Sequence, residues 1–197
     1  MPDAGRVIAG IARGRRLVAP GPGTRPLGDR VKQTLFAVLE PRLAGAAVLD
    51  LCAGSGAAGI EALSRGADLA VFVERDGDAC RVIAENLGRL GLAGDRATIV
   101  RAEAVGWLRR GRPAGSRPFD IAIVDPPYAE TGLLARILEQ LGRPDSAVLA
   151  AAAVVVAKHF WRERPPAAAG LLASRDERRF GETTLTFYAR DGGLEAT

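Results

Sequence analysis

Histidine, cysteine and lysine are nearly missing from this chain. Of 197 residues, one is His (His159), two are Cys (Cys52 and Cys80) and two are Lys (Lys32 and Lys158). A lone histidine excludes a histidine-built metal centre and argues against a Ser-His-Asp triad. Two cysteines without metal-ligand spacing exclude a zinc ribbon and a disulfide scaffold, and they fit a reduced compartment. No metal is expected. No apolar run reaches membrane-spanning length with suitable flanks, and the first residues lack the apolar stretch of a secretion signal. The expectation is a cytoplasmic protein with no membrane partner.

What is present describes a globular chain with a sizeable core: 48% apolar residues and 25% charged. The net charge of +4 is unevenly spread. Residues 1–45 hold eight basic groups (Arg6, Arg13, Arg15, Arg16, Arg25, Arg30, Lys32 and Arg42) against Asp3, Asp29 and Glu40, and the remainder is close to neutral. Arginine supplies 25 of the 27 basic residues, and its planar fork suits phosphate.

Residues 6–19 read as two short strands around a glycine-bearing turn, a basic β-hairpin, with loop through Pro20–Pro26. Asp29 is placed to cap a helix running to Leu39, with Val31, Leu35, Phe36 and Leu39 on one face. From Ala47 the pattern alternates strand and helix, with strands at 47–51, 69–74, 97–100, 119–124 and 148–158. Such alternation builds a parallel sheet covered on both faces. Residues 171–179 and 183–190 flank Phe180-Gly181-Glu182 as an antiparallel hairpin at its edge. The expected fold is Rossmann-like α/β, a seven-stranded, mostly parallel sheet with an antiparallel terminal hairpin. The expected division is a basic extension, 1–45, and a catalytic domain, 46–197.

Two loops carry the chemistry. The first follows the first parallel strand: Asp50-Leu51-Cys52-Ala53-Gly54-Ser55-Gly56-Ala57-Ala58-Gly59. Its glycines match the G-x-G-x-x-G spacing at a strand-to-helix turn, a signature that alone would suit a dinucleotide. Asp50 would repel a pyrophosphate and attract a cationic amine, and Glu74, at the end of the next strand, can accept from both ribose hydroxyls. Those acids favour S-adenosylmethionine. Glu103, after the third strand, either accepts from the adenine amine or caps the following helix.

The second loop is Asp125-Pro126-Pro127-Tyr128, closing the apolar run 119–124. The prolines lack N–H groups and hold the backbone stiff and extended. The Asp125 carboxylate and the Pro126 carbonyl can then accept two hydrogens from one planar amino group, while Tyr128 stacks on its ring. The loop is a holder for an exocyclic amine on a flat heterocycle.

These motifs resemble the nucleic-acid amino-methyltransferases. Arg6-Val7-Ile8-Ala9-Gly10, Arg13-Gly14-Arg15-Arg16-Leu17, Thr24-Arg25-Pro26, Asp29-Arg30-Val31-Lys32 and Arg179-Phe180-Gly181 narrow the resemblance to the RsmD family, the 16S ribosomal RNA guanine-N2 methyltransferases. The resemblance spans residues 6–190. It implies catalytic residues Asp125, Pro126, Pro127 and Tyr128. It implies cofactor contacts at Asp50, Ala53, Gly54, Ser55, Gly56, Gly59, Glu74, Arg75, Glu103, Ala104 and Asp125. It also implies that Arg6, Arg13, Arg15, Arg16, Arg25, Arg30 and Lys32 bind RNA, with 16S rRNA in a 30S subunit or assembly particle as partner to a monomer. The chain departs from the family pattern in three places: Glu103 stands where Asp is usual, Leu27 and Gly28 where Thr or an equivalent is frequent, and Lys158 near where strand five ends in an acid. The competing readings are a DNA adenine-N6 methyltransferase, a protein glutamine-N5 methyltransferase and a non-catalytic RNA-binding assembly factor.

Overall fold

A computed structural model of the chain describes residues 3–21 and 27–190. It divides into two compact units, Met1–Glu103 and Ala104–Thr197.

The first unit opens with a two-stranded antiparallel ribbon, β1 (Asp3–Arg6) and β2 (Arg16–Val18). Helix α1 (Asp29–Leu39) follows, then β3 (Ala47–Leu51), α2 (Ala57–Ser64), β4 (Leu69–Glu74), α3 (Gly77–Leu90) and β5 (Ala97–Arg101). Strands β3, β4 and β5 pair in parallel, with β4 in the middle. All of β3 is buried, Asp50 included, as a strand covered on both faces requires. Helix α3 shows how the sequence sets its own ends. The Asp76 carboxylate accepts from the N–H groups of Asp78 and Ala79 at 2.7 and 2.9 Å, and Gly91 closes the helix in the left-handed region. Its buried residues, Ala79, Ile83, Asn86 and Leu87, lie on one helical stripe.

The leading ribbon forms earlier than its sequence pattern indicates, because residues 7–12 find a better partner than a strand. The Glu61 carboxylate, fully buried on α2, accepts from the N–H groups of Ile8 and Ala9 at 2.8 and 3.0 Å. Ser64 takes the Ala12 N–H on its hydroxyl and the Ile11 N–H on its carbonyl. Gly10 sits so close that a Cβ there would lie 1.8 Å from the Ser64 carbonyl oxygen. Ala4, Val7, Ala12, Leu17 and Ala19 join one core cluster with Ile60, Leu63, Phe72 and Ile83.

The second unit comprises α4 (Ala104–Arg110), β6 (Phe119–Val124), α5 (Leu133–Gly142), β7 (Leu149–Phe160), β8 (Ala168–Ala169), β9 (Leu172–Phe180) and β10 (Thr183–Arg190). Strands β6 and β7 are parallel, β10 returns antiparallel to β7, and β9 and β8 continue outward. The main sheet therefore has eight strands where seven are expected. The addition is β8, whose two residues are too few to carry a hydrophobic pattern. Among the described residues no helix is long and apolar enough to cross a membrane.

Candidate active site

In the first unit the glycine loop is held tightly by its own fold. Cys52 adopts φ 60°, a left-handed conformation that costs a non-glycine residue about 1–2 kcal/mol. Gly54 and Gly56 follow at φ 55° and 76°. The third glycine serves packing: a Cβ on Gly59 would lie 2.3 Å from the Phe72 ring. The backbone donors are turned inward. Cys52 and Ala53 N–H groups reach the Val73 carbonyl at 3.0 and 3.3 Å, and Gly56 N–H reaches Ala53 at 2.7 Å. Gly54 N–H donates to Glu74 Oε2 at 2.9 Å, and Gly59 N–H donates to Asp50 Oδ2 at 2.9 Å.

This arrangement discriminates between ligands. Those five loop N–H groups, of the kind a pyrophosphate would need, are already bonded within the protein. Two acids, Asp50 and Glu74, both buried, instead accept from the loop's Gly59 and Gly54 N–H groups. Each Glu74 oxygen accepts one backbone N–H, from Gly54 and Asp76, and keeps a second lone pair for a hydroxyl. The set fits a cation with a diol and disfavours a diphosphate. Ala53 and Ser55 lie in the same loop and are buried, whereas Arg75 and Glu103 are exposed. Cys80 is not poised for attack: burial, with Glu74 adding to it, pushes its thiol up.

In the second unit, Asp125 follows the last residue of β6. The parallel register pairs Val124 with Ala157, which sets Lys158 of β7 beside Asp125. Lys158 Nζ lies 2.6 Å from Asp125 Oδ1 and 5.0 Å from the centre of the Tyr128 ring. The Lys158 side chain is 9% exposed and that of Asp125 27%, so the pair is sheltered with one face open. Burial pushes the Asp125 carboxyl up, and the Lys158 cation opposes it. Burial would lower Lys158, but Asp125 and Tyr128 outweigh it and hold the ammonium above its ordinary value. Tyr128 is fixed in turn: its hydroxyl is 3.0 Å from Thr183 Oγ1 and its ring 5.9 Å from that of Phe160. Pro126 is buried and Pro127 exposed, with the Pro127 carbonyl accepting from Glu130 N–H at 3.0 Å.

Asp125, Pro126, Pro127 and Tyr128 thus form one rigid loop braced from β7 and β10. Lys158 and Thr183 are the members that the motif reading missed. Lys158 was legible only as the residue beside Asp125 once strands six and seven were aligned. His159, the lone histidine, has no such role: it is buried, with Nε2 2.8 Å from Thr186 Oγ1.

The basic leader is only partly available. Arg13 and Arg30 are exposed, and among the described residues no carboxylate pairs with them. Arg6 pairs with Asp29 at 2.9 Å, Arg16 with Asp3 at 2.5 Å, and Arg15 donates to the Arg89 carbonyl at 2.6 Å. All three remain at the surface. Lys32 does not: it is fully buried, with Nζ donating to the Arg6 carbonyl, so it offers no charge to a polyanion. The expected cap is corrected too, since Gly28 occupies the N-cap of α1 and Asp29 turns to Arg6. Arg25 lies outside the described residues.

The family described as "Conserved hypothetical protein 95" matches residues 5–189. Ribosomal RNA small subunit methyltransferase D of Escherichia coli K12 is 35% identical over 192 residues, spanning 97% of this chain and 92% of that protein. The protein of the same name from Haemophilus influenzae is 40% identical over 124 residues, 62% of this chain and 63% of the relative's length. The solved structure of Escherichia coli yhhF superposes with a TM-score of 0.78 at 35% identity, covering 94% of this chain and 97% of that one.

Proposed function

The chain belongs to the family described as conserved hypothetical protein 95, the RsmD family, and from that premise we propose that it methylates the exocyclic N2 amine of a guanine in small-subunit ribosomal RNA, using S-adenosylmethionine. The observation that carries the reading is the Asp125–Tyr128 loop: a carboxylate at a strand end, a stiff proline pair and a ring held by Thr183. The cofactor, when bound, supplies an electrophilic methyl group on a sulfonium. Asp50 would hold its cationic amino-acid end and Glu74 its ribose hydroxyls, in keeping with a loop whose own N–H groups are engaged.

The acceptor is handled by the second unit. The target guanine leaves its stack and lies against Tyr128. Its N2 hydrogens donate to the Asp125 carboxylate and the Pro126 carbonyl. Lys158 occupies one side of Asp125 Oδ1, which leaves Oδ2 and the open face for the amine. Accepting those hydrogens localises the nitrogen lone pair and aims it, so orientation provides most of the acceleration. Asp125 is the nearest acceptor for the released proton. The choice of guanine N2 over adenine N6 rests on the motif resemblance to the RsmD family, and the choice of RNA is supported by the names of the relatives.

The deciding experiment supplies the protein and labelled cofactor to small-subunit particles from a strain lacking the enzyme, then maps the modified base by mass spectrometry. A methyl group on guanine N2 of the rRNA supports the reading. Label in duplex DNA alone, in a protein, or nowhere overturns it.

A further inference from the structure

The protein contains ten aromatic residues, and six of them, Phe36, Phe72, Trp107, Phe119, Phe187 and Tyr188, are buried. The other four, Tyr128, Phe160, Trp161 and Phe180, are each half-buried and gather at one place, the acceptor loop and the adjoining ends of β7 and β9. Tyr128 and Phe160 have ring centres 5.9 Å apart, and Phe160 and Trp161 6.1 Å. Thr183 is the register partner of both Phe160 and Phe180, so the β10 end joins the two flanks. Two guanidinium groups cover the outermost ring: Arg179 at 4.1 Å and Arg162 at 4.7 Å from the Trp161 centre. Arg179 is anchored by donating to the Gly181 carbonyl at 2.9 Å, and the Trp161 backbone N–H donates to the Glu182 carbonyl at 3.0 Å.

We infer that this strip, running from Tyr128 through Phe160 to Trp161 with Arg162 and Arg179, binds the single-stranded nucleotides that flank the target base. The inference rests on the RNA-methylation reading above and extends it from the base that reacts to its neighbours. Rings left half-exposed beside an amine holder offer π-faces to unstacked bases. Arginines stacked on the last ring add planar surfaces for a further base and charge for its phosphate. Cations over the outermost ring would not serve an apolar protein partner. A duplex is likewise a poor fit, because its bases keep their faces to themselves. The strip lies apart in sequence from the basic leader, so the RNA is gripped by two separated segments.

The test uses the full-length protein and a single-stranded oligoribonucleotide. Trp107 is buried beside Phe119, so the accessible indole signal belongs to Trp161. RNA should quench that fluorescence, and Trp161→Phe should lose the signal while keeping affinity. Trp161→Ala should weaken binding about tenfold. Arg162→Gln with Arg179→Gln should flatten the dependence of log K on log salt by about 1.4. Both arginines are exposed, so this second variant remains informative if Trp161→Ala fails to fold. Wild-type methylation of deficient small-subunit particles is the control. Failure of that control overturns the functional reading itself. Success of the control, with Kd within twofold and an unchanged salt slope in the variants, overturns the strip alone.

Discussion

Lys158 and Asp125 form an ion pair of 2.6 Å at the end of two parallel strands, with the Tyr128 ring 5.0 Å from the same ammonium. The carboxylate proposed to orient the target amine is therefore not alone. It is shared with a cation that holds it in place and, by opposing burial, favours its ionised form.

Asp125→Asn is the informative removal. It keeps an oxygen for Lys158 but loses the anionic acceptor, and methyl transfer should fall at least about 100-fold. Calorimetric binding of S-adenosylmethionine should be nearly unchanged. Asp125→Ala should also lower stability by about 1–3 kcal/mol, because Lys158 is left sheltered without its partner. Full turnover by either variant would sink the orienting role.

Lys158→Met tests the electrostatics. Activity needs ionised Asp125, whose carboxyl lies above its ordinary value of 3.8, so the rate should rise with pH along a correspondingly displaced acid limb. Removing the opposing cation should move that limb to still higher pH. Stability has its own sign. Lys158 is raised above 10.5, so its contribution is fully present below that pH and lost as pH rises through the folded value. The alkaline fall in thermal midpoint should be smaller in Lys158→Met, and an identical fall would contradict the pairing.

Gly59→Ala should destabilise by about 1–3 kcal/mol, since the new methyl group would meet the Phe72 ring at 2.3 Å. Phe72→Leu in the same chain should recover part of the loss. Denaturant titration of the two variants distinguishes this steric account from a role for Gly59 in ligand contact, in which the second change would bring no recovery.

Arg13→Gln with Arg30→Gln should weaken RNA binding and flatten its salt dependence, because both side chains are exposed. Lys32→Met should leave the salt slope as it was, since that ammonium is buried against the Arg6 carbonyl. A reduced slope in Lys32→Met would mean that the charge reaches the RNA after all.

The parallel strands were legible because each is an apolar run bounded by turn residues, and the Asp125–Tyr128 loop because two prolines after a strand permit few conformations. Three features were not. Lys32 falls on the buried stripe of α1, yet lysine reads as a surface residue until a carbonyl is found to receive it. The early strand pairing was hidden because its competitor, Glu61, is about fifty residues away. Lys158 stood out only as a departure from the family pattern, because its pairing depends on register, which places it beside Asp125 although 33 positions separate them. Local pattern carries none of these long-range matches.

The anchoring of residues 8–12 on Glu61 and Ser64 also sets an order of events during synthesis. Those bonds span 52 and 53 positions, so the acceptors are made well after the donors. At roughly 5–20 residues per second the leader waits on the order of several seconds before α2 exists to receive it. Until then its N–H groups can bond only to water or to passing chains. The segment proposed to grip RNA is thus translated ahead of its support and takes its final shape late, as a consequence of where one buried carboxylate lies in the chain.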